Sequence, residues 1–202
     1  MDHRLPRSWR HAGYRAASHA VQDLADRAGA QRTAAWVRLK LADAALIAGD
    51  TIKAIELGHR AVGRVRALDW TSHLGLGLSN LCGAQVLGGQ NSAATASATE
   101  ALPLMWASEW GYLLADPLAL LAAREGRWAD AGLLLGFVDG WFAAHAGERE
   151  INEARQALLA AAAIEGALGA QSLAQLRREG ALLTDGEARC VAEKVLGIRP
   201  DT

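Results

Sequence analysis

The chain alternates helix-length segments of periodic apolar residues with short glycine-containing breaks, and the breaks predict where each helix ends. Between Trp36 and Ala48 the apolar positions (Trp36, Leu39, Leu41, Ala45, Ile47) recur with the period of a helix face, and Gly49-Asp50 interrupts them. Glycine suits a left-handed helix C-cap and aspartate an N-cap. A helix over Arg32–Ala48 is therefore expected to end there, and another to run from Asp50 to about Leu68. The same logic predicts an earlier helix from Ser8 to Arg27, entered through Pro6 and closed by Gly29. Beyond Leu68, a helix opens near Asp69 or Ser72 and runs to Gly88-Gly89. The next starts at Asn91, whose side chain is expected to cap it, and stops around Leu102-Pro103. A sixth helix carries Pro117 near its start and runs to Glu125. A seventh, Arg127 to about His145, is apolar on nearly every side and is expected between layers. After a polar break at 146–150 come an alanine-rich helix from about Glu153 to Leu168 and two short helices. Each short helix has a predicted capping box, Ser172 with Gln175 and Thr184 with Glu187. Trp106 and Trp110, four apart in MWASEWGY, would share a face if that stretch is helical, which favours core packing.

The breaks recur in register. Gly49 is followed at five and twelve residues by Ala54 and Ala61, Gly89 by Ala94 and Ala101, and Gly126 by Ala131 and Val138; upstream, Gly13-Tyr14 leads into Ala17 and Leu24. Ala17, Ala54, Ala94 and Ala131 stand 37, 40 and 37 residues apart. Small residues at these points let the second helix of a hairpin approach the first closely. The pattern resembles the tetratricopeptide hairpin, at a period slightly longer than the roughly 34 residues of that motif. The resemblance implies an all-α fold of about three to four hairpins in residues 1–146, stacked as a right-handed superhelix, with a divergent helical cap over 147–202. It also implies that the first helix of each hairpin lines a concave groove. The groove positions before Gly49 are Trp36, Leu39, Asp43 and Leu46; those before Gly89 are Leu76, Ser79, Gly83 and Val86; those before Gly126 are Leu113, Asp116, Leu120 and Ala123. Trp36, Leu39, Asp43, Leu76, Ser79, Leu113 and Asp116 are the candidate partner-binding residues. The groove lacks the Lys and Asn positions by which chaperone-cofactor repeats clamp a C-terminal carboxylate, which disfavours that activity. Either the groove is open, or the helices after Glu150 fold back and fill it.

Composition agrees with the pattern. Ala, Leu, Gly and Arg outweigh the β-branched and aromatic residues that strands prefer. The 202 residues suffice for a core without staples. Cys82 and Cys190 stand far apart without metal-ligand spacing, and are expected as reduced, buried thiols of a cytoplasmic protein. The N-terminal MDHRLPRSWRHAGYR is expected to be neither signal peptide nor anchor, and no apolar stretch is long enough for a bilayer span. Net charge is −1 but unevenly spread. Residues 1–66 hold 12 Lys/Arg against 6 Asp/Glu, and residues 67–150 hold 3 against 9. Such a split reads as solvated faces or missing neighbours, so no direct nucleic-acid contact is expected.

The C-terminal third resembles the end of the helical-repeat region in large bacterial transcriptional regulators. The resemblance rests on GRWADAGLLLGFVDGWFAAHA, an alanine/leucine helix, and LGAQSLAQLRREGALLTDGEARCVAEKVL. Its matching elements are Gly126, Ala131, Leu134-Leu135-Gly136, the Leu168-Gly169 break, and Glu179-Gly180-Ala181-Leu182-Leu183-Thr184, within about residues 120–197. In that family the repeats accompany a LuxR-type or winged-helix DNA-binding module and a signal-transduction ATPase module. The resemblance implies a non-catalytic protein-interaction or effector-sensing module, expected as part of a longer polypeptide. Its partners would be a protein or peptide, other domains of that regulator, or a small hydrophobic effector. A stand-alone adaptor unconnected with transcription is the alternative.

The residues themselves carry little chemistry. No GxxxxGK[ST] is present, so the ATPase activity does not transfer, and no cofactor is expected. The six histidines form no HExxH or HxH pattern, so no metal site is expected. Ser18-His19 and Ser72-His73 sit on no strand-to-helix elbow, and no GxSxG occurs. LGLGLSN lacks the strand and third glycine of a dinucleotide fingerprint, so Gly75, Gly77 and Gly83 are expected at close helix contacts.

Overall fold

A computed structural model describes Arg27 and residues 29–198 of the chain. The predicted helix from Ser8 to Arg27 and the hairpin position Ala17 lie outside the described residues, Arg27 apart. Among the described residues the protein is all-α, with nine helices and no strand, and no helix is long and apolar enough to cross a membrane.

Six helices form three consecutive hairpins: α1 (Gln31–Ile47) with α2 (Thr51–Arg66), α3 (Thr71–Leu87) with α4 (Asn91–Ala107), and α5 (Gly111–Arg124) with α6 (Trp128–His145). Each hairpin turns through a left-handed glycine, Gly49, Gly89 or Gly126, with φ of 85°, 75° and 75°. At each, the following backbone N–H returns to a carbonyl five residues earlier, as from Asp50 to Ala45 and from Gln90 to Gln85, which closes the helix end. Asp50 then caps α2 by accepting from the Lys53 N–H at 3.0 Å. The turns between hairpins use the same geometry without glycine. Asp69 and Glu109 take φ of 50° and 62°, and the N–H groups of Trp70 and Trp110 return to Val65 and Met105. Because these residues carry side chains, sequence reading passed them over. Ala54, Ala94 and Ala131 are all buried, each on the second helix of its hairpin.

Several local expectations are corrected. Gln90 rather than Asn91 precedes α4, with no side-chain cap, and α4 continues through Pro103 to Ala107. Proline removes only one N–H, and burial of Leu102 and Met105 on the same face holds the last turn in place. Trp106 and Trp110 do not share a helix, since the Glu109 turn separates α4 from α5. Cys82 is buried, whereas Cys190 is exposed.

The chain then returns over the hairpins. Helix α7 (Ile151–Leu168) packs on α5 and α6 and reaches α1 and α3; α8 (Ala170–Gly180) packs on α6; α9 (Asp185–Val195) packs on the α5/α6 hairpin. Gly169 precedes α8, and Ser172 donates to the Leu168 carbonyl instead of forming the expected box. Thr184 and Glu187 do form theirs at the start of α9. One cluster of buried apolar side chains runs from Val62 to Leu196, so the segment after residue 147 shares the core of the hairpins. Helix α7 is amphipathic the wrong way round. It buries Asn152 and Gln156 with Ala160 and Ile164, while Ile151 is 56% and Leu158 71% exposed. Polar side chains face inward only where they find partners or a cavity.

Candidate functional site

The first helices of the three hairpins, α1, α3 and α5, stand side by side beneath α7, which divides the predicted groove into an inner and an outer part. In the inner part Leu39, Ser79 and Asp116 are buried. Leu39 packs against Gly77, where a Cβ would lie 2.8 Å from Leu39 Cδ2, and Ser79 Oγ donates to the Leu113 carbonyl at 3.0 Å. Asp116 accepts from Arg149 Nε at 2.7 Å and Nη2 at 3.1 Å, and Arg149 also reaches Asp139 at 2.7 Å. Gly75, Gly77 and Gly83 serve close packing as expected. A Cβ on Gly83 would lie 2.5 Å from Gln156 Nε2, so the missing Cβ leaves room on α3 for the end of that α7 side chain. Leu46, Val86, Leu120 and Ala123, at the groove's other end, are core residues.

The outer part is an open cleft of about 300 Å³. Trp36, Leu76, Trp110, Tyr112 and Leu113 form its apolar walls, and Lys40, Asp43, Asn80, Glu150 and Glu153 supply its polar groups. Of the predicted residues, then, Trp36, Asp43, Leu76 and Leu113 come together. Leu39 and Ser79 instead face a small void beneath the cleft, and Asp116 faces a side pocket of about 120 Å³. The void, with about 10 Å³ of free space, shares Asp43, Asn80 and Glu153 with the cleft as common walls. Glu153 also lines the side pocket, so it stands where all three meet.

Both walls are braced by aromatic contacts. Trp36 meets His73 edge-on at 5.2 Å, His73 stacks on Trp70 at 3.5 Å, and Tyr112 stacks on Trp141 at 3.5 Å. Ser72 Oγ lies 3.1 Å from His73 Nδ1 inside this aromatic packing, and burial lowers the His73 pKa. The floor is acidic. Asn152 Nδ2 donates to the Asp43 carboxylate at 2.5 Å, yet burial still raises the Asp43 pKa against the pull of Lys40 and that hydrogen bond. Burial pushes Glu153 up to about 7; its own backbone N–H opposes this, and the charges of Asp43, Glu150 and Asp116 add to it. Asp116 is pushed up to about 6 by burial despite Arg149. Among the described residues no group of three or more His, Cys, Asp or Glu side chains is arranged to hold a metal ion.

Sequence reasoning named four of the cleft's ten lining residues, and its polar groups other than Asp43 were missed for two reasons. Lys40 and Asn80 lie one turn beyond Trp36 and Leu76 on the same faces, and a wider reading of the groove register would have found them. Glu150 and Glu153 arrive from a helix more than a hundred positions away from α1, and the sequence carries no signal for where it lands. Comparison with known proteins finds no matching family model, no matching curated protein and no matching solved structure.

Proposed function

We propose that this chain is a non-catalytic effector-sensing module of a bacterial transcriptional regulator, built as a tetratricopeptide-like right-handed stack of hairpins with a C-terminal helical cap. The supporting observation is the cleft itself. Three first helices, one from each hairpin, leave Trp36, Leu76, Trp110, Tyr112 and Leu113 only partly covered around a space of small-molecule size. Large apolar side chains held half-open on a concave face favour a ligand that covers them. The regular 37- and 40-residue alanine spacing supports the repeat architecture, and the GRWADAGLLLGFV and EGALLT segments support the link to regulators.

The fold-back of α7 shapes the ligand class within this reading. It takes up the inner groove, so a whole partner helix finds no room along Leu39, Ser79 and Asp116, and the outer cleft suits a small molecule. The test is titration of the protein with a neutral hydrophobic dye such as Nile red. Saturable binding, lost in Leu76→Glu while the variant stays folded by circular dichroism, is the expected result. Binding that is non-saturable or indifferent to that substitution would remove the effector reading. The regulator link is tested separately, by reading the DNA flanking the coding sequence. A continuous frame encoding a P-loop and a DNA-binding module is expected, and a flanking sequence with neither would remove that part.

A further inference from the structure

Helix α7 carries three buried acceptor oxygens that have no hydrogen-bond partner: Asn152 Oδ1, Glu153 Oε2 and Gln156 Oε1. All three residues line the small void beneath the cleft, and Asn152 and Gln156 are only 3% and 2% exposed. Buried polar atoms are as a rule paired. Here every orphan is an acceptor, so the group that would complete the site is a donor. Around the same point stand the carboxylates of Asp43 and Glu153, with Glu150 on the cleft side. Donor need and negative charge thus coincide at one place, next to the aromatic wall of Trp36 and Tyr112, whose ring faces attract a cation.

We infer that the cleft takes a primary alkylammonium ligand. Its NH3+ head lodges against Asp43 and Glu153 where cleft and void meet, and its apolar tail lies along Trp36, Leu76 and Leu113. The inference rests on the effector reading and narrows it. An ammonium brings three donors and no acceptor, the complement of this oxygen set. Size selects further. The void's 10 Å³ of free space suits one water-sized group, which an NH3+ head matches and a guanidinium or trimethylammonium head exceeds. Lys40 also lines the cleft and works against the ligand. Its Nζ lies 5.1 Å from the Trp36 ring and its charge lowers the Asp43 pKa, so it competes for the same carboxylate.

The test is calorimetric titration of the full chain at pH 8 with four probes that share a six-carbon chain: n-hexylammonium, hexan-1-ol, hexanoate and hexyltrimethylammonium. Hexylammonium is expected to bind roughly tenfold or more tightly than the alcohol and the quaternary ion, with hexanoate the weakest because it adds charge to a carboxylate site. Glu153→Gln and Asp43→Asn should each remove most of the preference for hexylammonium over hexan-1-ol, while Lys40→Gln should strengthen it. Two variants guard against one failing to fold. Equal binding of ammonium and alcohol, or a preference untouched by both carboxylate substitutions, overturns the inference and leaves the orphaned oxygens to ordered water. The effector reading survives that outcome. Failure of all four probes to bind overturns both.

Discussion

Replacing Gly136 with alanine is expected to destabilise the protein although the substitution improves helix propensity. Helices α6 and α8 cross at two glycines that face each other's backbone. A Cβ on Gly136 would lie 2.8 Å from both Cα and the carbonyl carbon of Arg177 and closer still to its oxygen, and a Cβ on Gly180 would meet the Leu133 carbonyl. Carbon atoms pack at about 3.5–4.0 Å, so the two helices must separate by roughly 1 Å. Backbone cannot rotate aside as a side chain can. Overpacking of this kind costs about 1–3 kcal/mol and sometimes more, and separation also loosens Leu134, Leu135 and Leu173 at the crossing. Against this stands about 1 kcal/mol gained from alanine over glycine in a helix. The net loss is up to about 2 kcal/mol, or roughly 4–8 °C in Tm for a chain of this size.

Gly166, an exposed glycine inside α7 with nothing within 4 Å of an added Cβ, is the control. There the propensity gain acts alone, and Gly166→Ala should stabilise by about 0.5–1 kcal/mol. Thermal and urea unfolding followed by circular dichroism read both variants. The Gly136→Ala/Gly180→Ala double variant should lose less than the sum of the singles, because the first separation makes room for the second methyl. A Gly136→Ala protein as stable as Gly166→Ala, or strictly additive losses, would refute the crossing of α6 and α8 at these residues.

Other expectations are equally specific. The Glu153 pKa is raised from 4.5 to about 7, so the folded protein holds a proton that the unfolded chain releases, and stability falls as pH rises from about 4.5 to about 7. Glu153→Gln cannot ionise and should match the wild type at pH 4 yet exceed it at pH 8 by up to about 3 kcal/mol. Urea midpoints at the two pH values check this, and a constant difference would contradict it. Thr184→Ala removes one half of the α9 capping box and should cost about 1 kcal/mol in urea unfolding, with Thr184→Ser restoring most of it. A chromogenic disulfide reagent should titrate the exposed Cys190 in the native protein at once. Cys82, buried with its thiol pushed up to about 12, should react only on unfolding; two fast thiols in the native protein would argue against the α3/α4 packing.

Most helix ends were legible because each depends on a few adjacent residues. Gly49 closes α1 and Asp50 opens α2 by contacts spanning five residues at most, and Thr184 finds Glu187 three positions on. Errors arose where one residue's shift changes who caps, as at Gln90 against Asn91, or where a side chain tolerates a conformation usually left to glycine, as at Asp69 and Glu109. Trp36, Asp43, Leu76 and Leu113, four of the positions counted back from the hairpin glycines, line one cleft. Glu150 and Glu153, which complete the cleft, were not legible.

Local backbone chemistry is written in neighbouring residues, and so the all-α character, the hairpin turns and the small residues at helix contacts could be read from the chain. The landing of α7 could not. Asn152 reaches Asp43 across 109 positions and Arg149 reaches Asp116 across 33, and no spacing in the sequence encodes either pairing. Helix α7 even misleads, because its leucines suggest an inward face while the structure turns Asn152, Glu153 and Gln156 toward the void. Which face of a helix is buried depends on what it packs against. The carboxylates that give the cleft its charge are brought to it by that packing and by nothing local.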